Sequence, residues 1–427
     1  MPTTKLDACP QCWAVLVSVP DADPWCGSCE WNLDAYEPRF GAGWVWNKIY
    51  RWDQRAGFRA DRLLGELSRL DPAAPIPPGP YRILVGVSIA LMLGLLAALE
   101  GGIFLLVAHE GPAQVVGGVF LLWLAWMLRP RFGRLKKLLE PGYRIPENGA
   151  PTLRALIERV ARETGAPLPE VLAFDFSWNA AAAVVGVRRT RVLLLGVPML
   201  LALKPQELVA LIGHELGHFQ YGDNRRAVLT GPALTIFGNF SRTLRPRPGD
   251  AFDRGLYNLP ALVYSLARLA AGLISVLLWG IHIGLHVLDS RYGRRVELRA
   301  DTSAVRVAGS AATLDLVYLL AMIPELKGYV QHYVPKGEAA ATWRRMLASV
   351  RERQGGLTTL VRQHSIRLGA SLLASHPTPG RRHQWLTALP TGHPAIVLDP
   401  ETTATIEREV APYAEALHLT MLEYVTD

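Results

Sequence analysis

His214-Glu215-Leu216-Gly217-His218 stands inside PQELVALIGHELGHFQYGD: two histidines four residues apart, with a glutamate directly after the first. On a helix that spacing sets both imidazoles on one face, one turn apart, where one Zn²⁺ can take both. The glutamate then lies beside the metal, placed to take a proton from a water that the metal activates. The flanking residues favour the helix. Pro205 suits a first turn, and Gln206 and Glu207 suit the positive end of its dipole. Leu208, Leu211, Ile212 and Phe219 recur at helical spacing, and Gly222-Asp223 marks a stop. Read alone, the five residues also fit a chance pattern on an amphipathic helix, so the rest of the chain has to supply the other parts of such a site.

A catalytic zinc of this kind needs a third protein ligand and one open position. Glu297-Leu298-Arg299-Ala300-Asp301 offers two carboxylates one helical turn apart. Glu297 can ligate the metal while Asp301 accepts a hydrogen bond from a ligating histidine and fixes its tautomer. By itself such a run is more often a solvated charged face; the HELGH upstream turns the reading towards a ligand.

HELGH with Gly222-Asp223, followed by ExxAD at 297–301, resembles the family of HtpX heat-shock proteases and CAAX prenyl endopeptidases, which are membrane zinc metallopeptidases. Ser375-His376-Pro377 with Arg382 is similar to the family's SHPxxxxR signature, and Asn179-Ala180-Ala181-Ala182 to its NAxA segment. The resemblance covers roughly residues 131 to 390. It implies zinc on His214, His218 and Glu297, with Glu215 as general base. It implies that His376 stabilises the oxyanion, with Arg382 assisting nearby. It also implies a strand edging the cleft, where the backbone of Asn179, Ala180 and Ala182 pairs with an extended peptide. Glu215 would take a proton from the activated water and return it to the leaving amine. The departure lies between Asp223 and Glu297, where the family's first membrane segment looks weak in this chain.

The elements that must hold this site begin with a second metal signal. Cys9-Pro-Gln-Cys12 and Cys26-Gly-Ser-Cys29 use all 4 cysteines of the chain. Two CxxC knuckles form a closed tetrahedral zinc site, so a zinc ribbon over residues 1–43 is expected. Redox-active pairs or disulfides of an exported domain are the alternatives. Both are weaker, because the first thirty residues lack the apolar core of a signal peptide. Thiolates imply a reducing, cytoplasmic N-terminus. Substrate capture, docking of a partner protein and nucleic-acid contact all use such ribbons.

Residues 44–80 form an amphipathic segment and a Pro-rich linker. Trp44, Trp46, Ile49, Tyr50, Trp52 and Phe58 alternate with Lys48, Arg51, Arg55, Arg59 and Arg62. The segment reads either as a helix on an anionic membrane surface or as a solvated helix packing its aromatics on the enzyme domain. DPAAPIPPGP, residues 71–80, is stiff and extended. Residues 81–130 hold two apolar runs, Ile83–Leu99 and Gln114–Leu128, which predict a transmembrane hairpin. Arg69 and Arg82 precede it and Arg129, Arg131, Arg134, Lys136 and Lys137 follow, so both ends belong in the cytoplasm.

Residues 131–427 are the expected metallopeptidase domain, with membrane-embedded segments near 227–240 and 261–288. Glu297 must reach the metal of His214, so the chain between them crosses the membrane an even number of times or not at all. His282 and His286, inside the run Leu269–Leu288, read as surface histidines more readily than as a second metal site. Residues 134–165, 302–330 and 401–424 read as helices. Val171–Phe176, Ala181–Val187 and Val192–Leu195 read as strands, with loops at Pro335–Glu338 and Gly355-Gly356. The fold class is therefore α+β, mainly α: a zincin-type domain with a small sheet, transmembrane helices and an N-terminal ribbon.

Composition agrees with a membrane setting. Hydrophobic residues make up 50% of 427 residues and the net charge is +8; mean hydropathy is +0.16. Because the arginines gather beside apolar runs, the charge points to lipid headgroups rather than to nucleic acid. The function expected is a membrane-bound, cytoplasm-facing zinc endopeptidase, with one catalytic and one structural Zn²⁺. Its partners would be the bilayer and polypeptide substrates, membrane proteins in quality control above all. The alternatives are a processing protease for a lipidated or signal peptide and a non-proteolytic ribbon scaffold.

Overall fold

The computed structural model describes residues 8–16, 23–68, 79–108, 110–129, 135–140, 142–186, 188–221, 223–245, 259–330, 337–355, 358–374 and 376–426. Most of the linker at 71–80, Val187 at the end of an expected strand, Pro335 and Gly356 in the expected loops, and Ser375 of the SHP motif lie outside them.

In chain order the elements are α1 (Trp44–Ser68), α2 (Gly79–Val107), α3 (Pro112–Leu128), α4 (Leu135–Leu138), β1 (Gly142–Arg144), α5 (Pro151–Thr164), β2 (Val171–Asp175), β3 (Ala180–Val185), β4 (Thr190–Gly196), α6 (Val197–Ala202) and α7 (Pro205–Gln220). They continue with α8 (Asp223–Leu244), α9 (Leu259–Ala308), α10 (Ser310–Val330), α11 (Ala339–Gln354), α12 (Thr358–Gly369), α13 (Pro379–Ala388) and α14 (Pro400–Thr426). The fold is mainly helical with one small mixed sheet. The chain divides into two units: residues 1–74, 133–224 and 293–427 form one, and residues 75–132 and 225–292 the other.

In the first unit the strand order is β1-β2-β4-β3. β2 and β4 pair in parallel, Val171 opposite Val192, and β3 closes the edge antiparallel to β4, Ala182 opposite Leu193. VLAF and VLLL in the two parallel strands are continuous apolar runs, as burial on both faces demands. They pack with Leu153 and Ile157 of α5, Val209 and Ile212 of α7, Leu316 of α10, Trp343 of α11 and Val410 of α14 in one core. Burial of that apolar surface is the main stabilising term.

The HELGH helix α7 is anchored at its start. Pro205 occupies the first turn, and the Lys204 amide donates to the Glu207 carboxylate at 2.7 Å. Arg351 of α11 donates to the same buried carboxylate at 2.5 and 2.8 Å. Gly213 and Gly217, four apart on α7, face α9. A Cβ on Gly213 would stand 2.4 Å from the Val307 side chain, and one on Gly217 3.0 Å from the Ala300 Cα. Only glycine permits that approach, and it brings α9's carboxylates to α7's histidines.

Two expected helices are divided. Residues 134–165 hold α4, β1 and α5, because Pro146 and Gly149 interrupt the run. Residues 302–330 break at Gly309, whose φ is +84°. α1 sends Phe58 into the interior while Trp44, Trp46 and Trp52 stay exposed.

In the second unit, α2, α8 and the first part of α9 share a small core of Leu84, Ala233 and Leu285. Pro232 stands inside α8, and the next amide, Ala233, donates to Ser88 Oγ of α2 at 3.1 Å. Ser241 and Ser275 exchange hydroxyl-to-carbonyl bonds, each at 2.9 Å. α2 and a stretch of α9 are long and apolar enough to cross a membrane. Both expose large apolar side chains, Leu93, Ile103 and Phe104 on one, Leu269, Leu273 and Val276 on the other. The core helix of a soluble protein would bury such residues.

Candidate active site

α7 presents His214 and His218 one turn apart, their ring centroids 5.0 Å from each other. α9 brings Glu297 to both: His214 Nε2 lies 3.4 Å from one carboxylate oxygen and His218 Nε2 3.6 Å from the other. One donor atom from each of the three lies within 4.8 Å of the others. Two imidazole nitrogens and a carboxylate oxygen at this spacing fit a catalytic zinc, with a fourth position left for water or substrate. Glu297 Oε2 is buried and faces His214 Nε2 at 3.4 Å, two donor atoms aimed at one point that a cation would occupy.

The electrostatics point the same way. Burial opposes a charged His214, yet hydrogen bonds to Asp301 and Glu297 push it up to about 10. Burial likewise opposes charge on Glu297, but His214 and His376 hold it well below the usual carboxylate range. The carboxylates of Glu297 and Asp301 therefore favour positive charge at His214.

Behind His214, Asp301 is fully buried. His214 Nδ1–H donates to its Oδ1 at 2.9 Å, leaving Nε2 free to ligate. Arg382 Nε donates to Asp301 Oδ2 at 2.9 Å, and its Nη2 to Oδ1. The family resemblance implies that Arg382 assists His376 at the oxyanion. The structure instead buries its guanidinium against Asp301, because a buried carboxylate needs a charged partner. Arg382 thus reaches His214 through Asp301.

Glu215 is buried next to His214. The Ala182 amide of β3 donates to Glu215 Oε2 at 2.8 Å. Ala182 therefore turns its amide away from β4, and by alternation Ala180 and Val184 share that free edge. Asn179 does not: its carbonyl accepts from Gly196 at 2.9 Å. Of the expected substrate residues, then, Ala180 and Ala182 face the open edge. His376 is largely exposed, with Nδ1 2.7 Å from Glu297 Oε1. The structure so brings His214, His218, Glu215, Glu297, Asp301, His376, Arg382 and Ala182 into one cluster. Residue type could not reveal the Ala182 amide, while Gly213 and Gly217 were a visible signal, two glycines one turn apart.

The ribbon cysteines also converge. Cys9 Sγ is 3.5 Å from Cys29 Sγ and Cys12 Sγ 3.4 Å from Cys26 Sγ, too far for disulfides. All four donor atoms lie within 4.8 Å of one another. Amides of Gln11, Ser28 and Cys29 point at Cys9 and Cys26 sulfurs. Burial opposes the Cys26 thiolate, but the Cys29 and Ser28 amides bring it down to about 6. A four-thiolate metal fits this set. His282 and His286 contact edge to face at 4.4 Å, with no third donor closing on them among the described residues.

The profile of peptidase family M48 matches residues 147–389. The chain is 29% identical over 173 residues to Protease HtpX of Pseudomonas entomophila, covering 38% of this chain and 54% of that protein. Against Protease HtpX of Chromohalobacter salexigens it is 27% identical over 184 residues, 40% and 57% of the two chains. Protease HtpX of Pseudomonas aeruginosa strain LESB58 matches at 28% over 170 residues, 37% and 52%. The match thus spans about half the length of these relatives. No solved structure matches the chain.

Proposed function

The chain belongs to peptidase family M48, and on that premise we propose that it is a membrane-bound zinc endopeptidase. The convergence of His214, His218 and Glu297 donor atoms within 4.8 Å, beside Glu215, carries the reading. Bound by those three residues, zinc would supply Lewis acidity and a water of lowered pKa. Glu215, oriented by the Ala182 amide, would accept a proton from the water that attacks the peptide carbonyl and pass it to the amine as the C–N bond breaks. An extended peptide pairs with the outer edge of β3 at Ala180 and Val184 and at the Ala182 carbonyl, the Ala182 amide being held by Glu215. His376, on the exposed side of Glu297, is the donor for the oxyanion. Asp301 and Arg382 hold the His214 tautomer. Cleavage of casein that stops with chelator and returns with zinc, in a chain carrying two zinc ions, tests this; one zinc without cleavage favours the scaffold.

The exposed apolar faces of α2 and α9 support anchoring in a bilayer, and the basic residues flanking the α2–α3 hairpin support a cytoplasmic site. Its substrates would be polypeptides, with membrane proteins in quality control as the class this reading favours. A partner of the ribbon would meet its first knuckle, where Trp13 and Val15 are exposed. A cysteine introduced by Arg245→Cys and labelled only from outside supports four crossings; labelling only from inside removes the α8 crossing.

A further inference from the structure

We propose that the cysteine ribbon is a built-in positioning element of the peptidase site, with Glu30 acting on the catalytic cluster through Arg381 and Arg382. The proposal rests on the zinc-peptidase reading above.

The second knuckle does not hang free. Trp25, next to Cys26, is fully buried and shares a core with Leu33, Phe58 of α1, Ile366 of α12 and Ala370. Its ring stacks on His364 at 5.8 Å, and Arg367 lies over it at 5.3 Å. Arg367 also donates to the Asp23 carbonyl at 2.5 Å, and Gln363 to the Gly27 carbonyl, inside the knuckle, at 3.2 Å. Glu30, directly after Cys29, adopts φ +62°. It accepts a forked pair from Arg381 of α13, with Nη2–Oε2 at 2.8 Å, and Gln384 at 3.3 Å. The knuckle thus grips both α12 and α13, the helices on either side of the 370–378 connection that carries His376.

The geometry then passes inward. Consecutive residues on a helix point about 100° apart. Arg381 is held by Glu30 on the ribbon, and Arg382 by Asp301 behind His214. The rotation and height of α13 are therefore set from both sides at once. α1 supports the same connection: Asp53 accepts the Leu372 amide at 3.0 Å, and Arg294 joins Asp61 at 3.3 Å to the Ser371 carbonyl at 2.5 Å. A ribbon this short keeps its shape through its metal, so the placing of Gly27 and Glu30 depends on the four thiolates. A displacement of about 1 Å in a catalytic group can cost about a hundred-fold in rate.

The test uses the full chain in detergent, carrying Glu30→Ala, Arg381→Ala, both together, Glu30→Gln or Cys12→Ser. Each is measured for kcat and KM on a peptide, zinc per chain, and amide exchange over residues 370–385. Glu30→Ala and Arg381→Ala should each lower kcat by about ten-fold or more, leave KM within about two-fold, keep both zinc ions and raise exchange around His376. The double variant should be no worse than the poorer single, because one link is lost once. Glu30→Gln should recover part of the rate, and Cys12→Ser should lose one zinc and show the same rise in exchange. Wild-type kcat and exchange in Glu30→Ala, or additive losses in the double variant, overturn the proposal. Should the unaltered chain cleave nothing, the peptidase reading fails, and exchange alone decides whether the ribbon holds the loop.

Discussion

The amide of Ala182 on β3 donates to the carboxylate of Glu215 on α7 at 2.8 Å. Glu215, the proposed general base, is thereby tied to the strand edge on which a peptide would lie, through the backbone and without any side chain of β3. Ala182→Pro removes that amide and one pairing position together. Steady-state kinetics should show kcat lowered by about ten-fold or more and KM raised. Ala182→Gly, which keeps the amide, should stay close to the unaltered chain. Equal activity in the proline variant would remove this link from the mechanism.

On the proposed function, Arg382 and Asp301 support the ligand His214 and do not touch the reacting atoms. Asp301→Ala and Arg382→Ala should each weaken zinc binding by about 10- to 100-fold, read by competition with a chelator. Turnover should recover when zinc is added in excess. A loss of turnover at full zinc occupancy would return Arg382 to the oxyanion.

The parts of the site that are written as residue types were legible in the sequence. HELGH, ExxAD, the SHP signature and the paired CxxC knuckles each carry their chemistry in side chains at fixed local spacing. β2 and β4 were legible too, because each holds an unbroken apolar run, VLAF and VLLL, and β3 followed from its run of alanines and valines. β1 was not, since Gly142–Arg144 is three residues long and is defined only by pairing with β2. The contacts of Glu30 with Arg381, of Asp61 with Arg294 and of Glu207 with Arg351 were hidden for the same reason. Each joins charges far apart in the chain, and nothing local distinguishes them from solvated ones.

Glu207 makes a stability prediction. Its carboxylate is almost fully buried and is matched by Arg351 and the Lys204 amide at the head of α7. Arg351→Ala strands that charge and should destabilise the first unit by about 3–5 kcal/mol, seen as a lower thermal midpoint. Replacing both residues by methionine should recover much of the loss.

His383 makes a pH prediction. Burial, with Arg362 nearby, lowers its pKa from 6.5 to about 4. Between these values the unfolded chain binds the proton and the folded chain does not. Stability must therefore fall as pH drops from about 6.5 to about 4. Thermal unfolding of His383→Asn should lack that part of the decline, and an unchanged pH profile would contradict the assignment.

The most direct measurement compares zinc content and peptide turnover of the unaltered chain and Glu215→Gln, purified side by side. The account predicts the same zinc stoichiometry in both and a loss of turnover of about 10²- to 10⁴-fold in the variant. Full turnover by Glu215→Gln would contradict it.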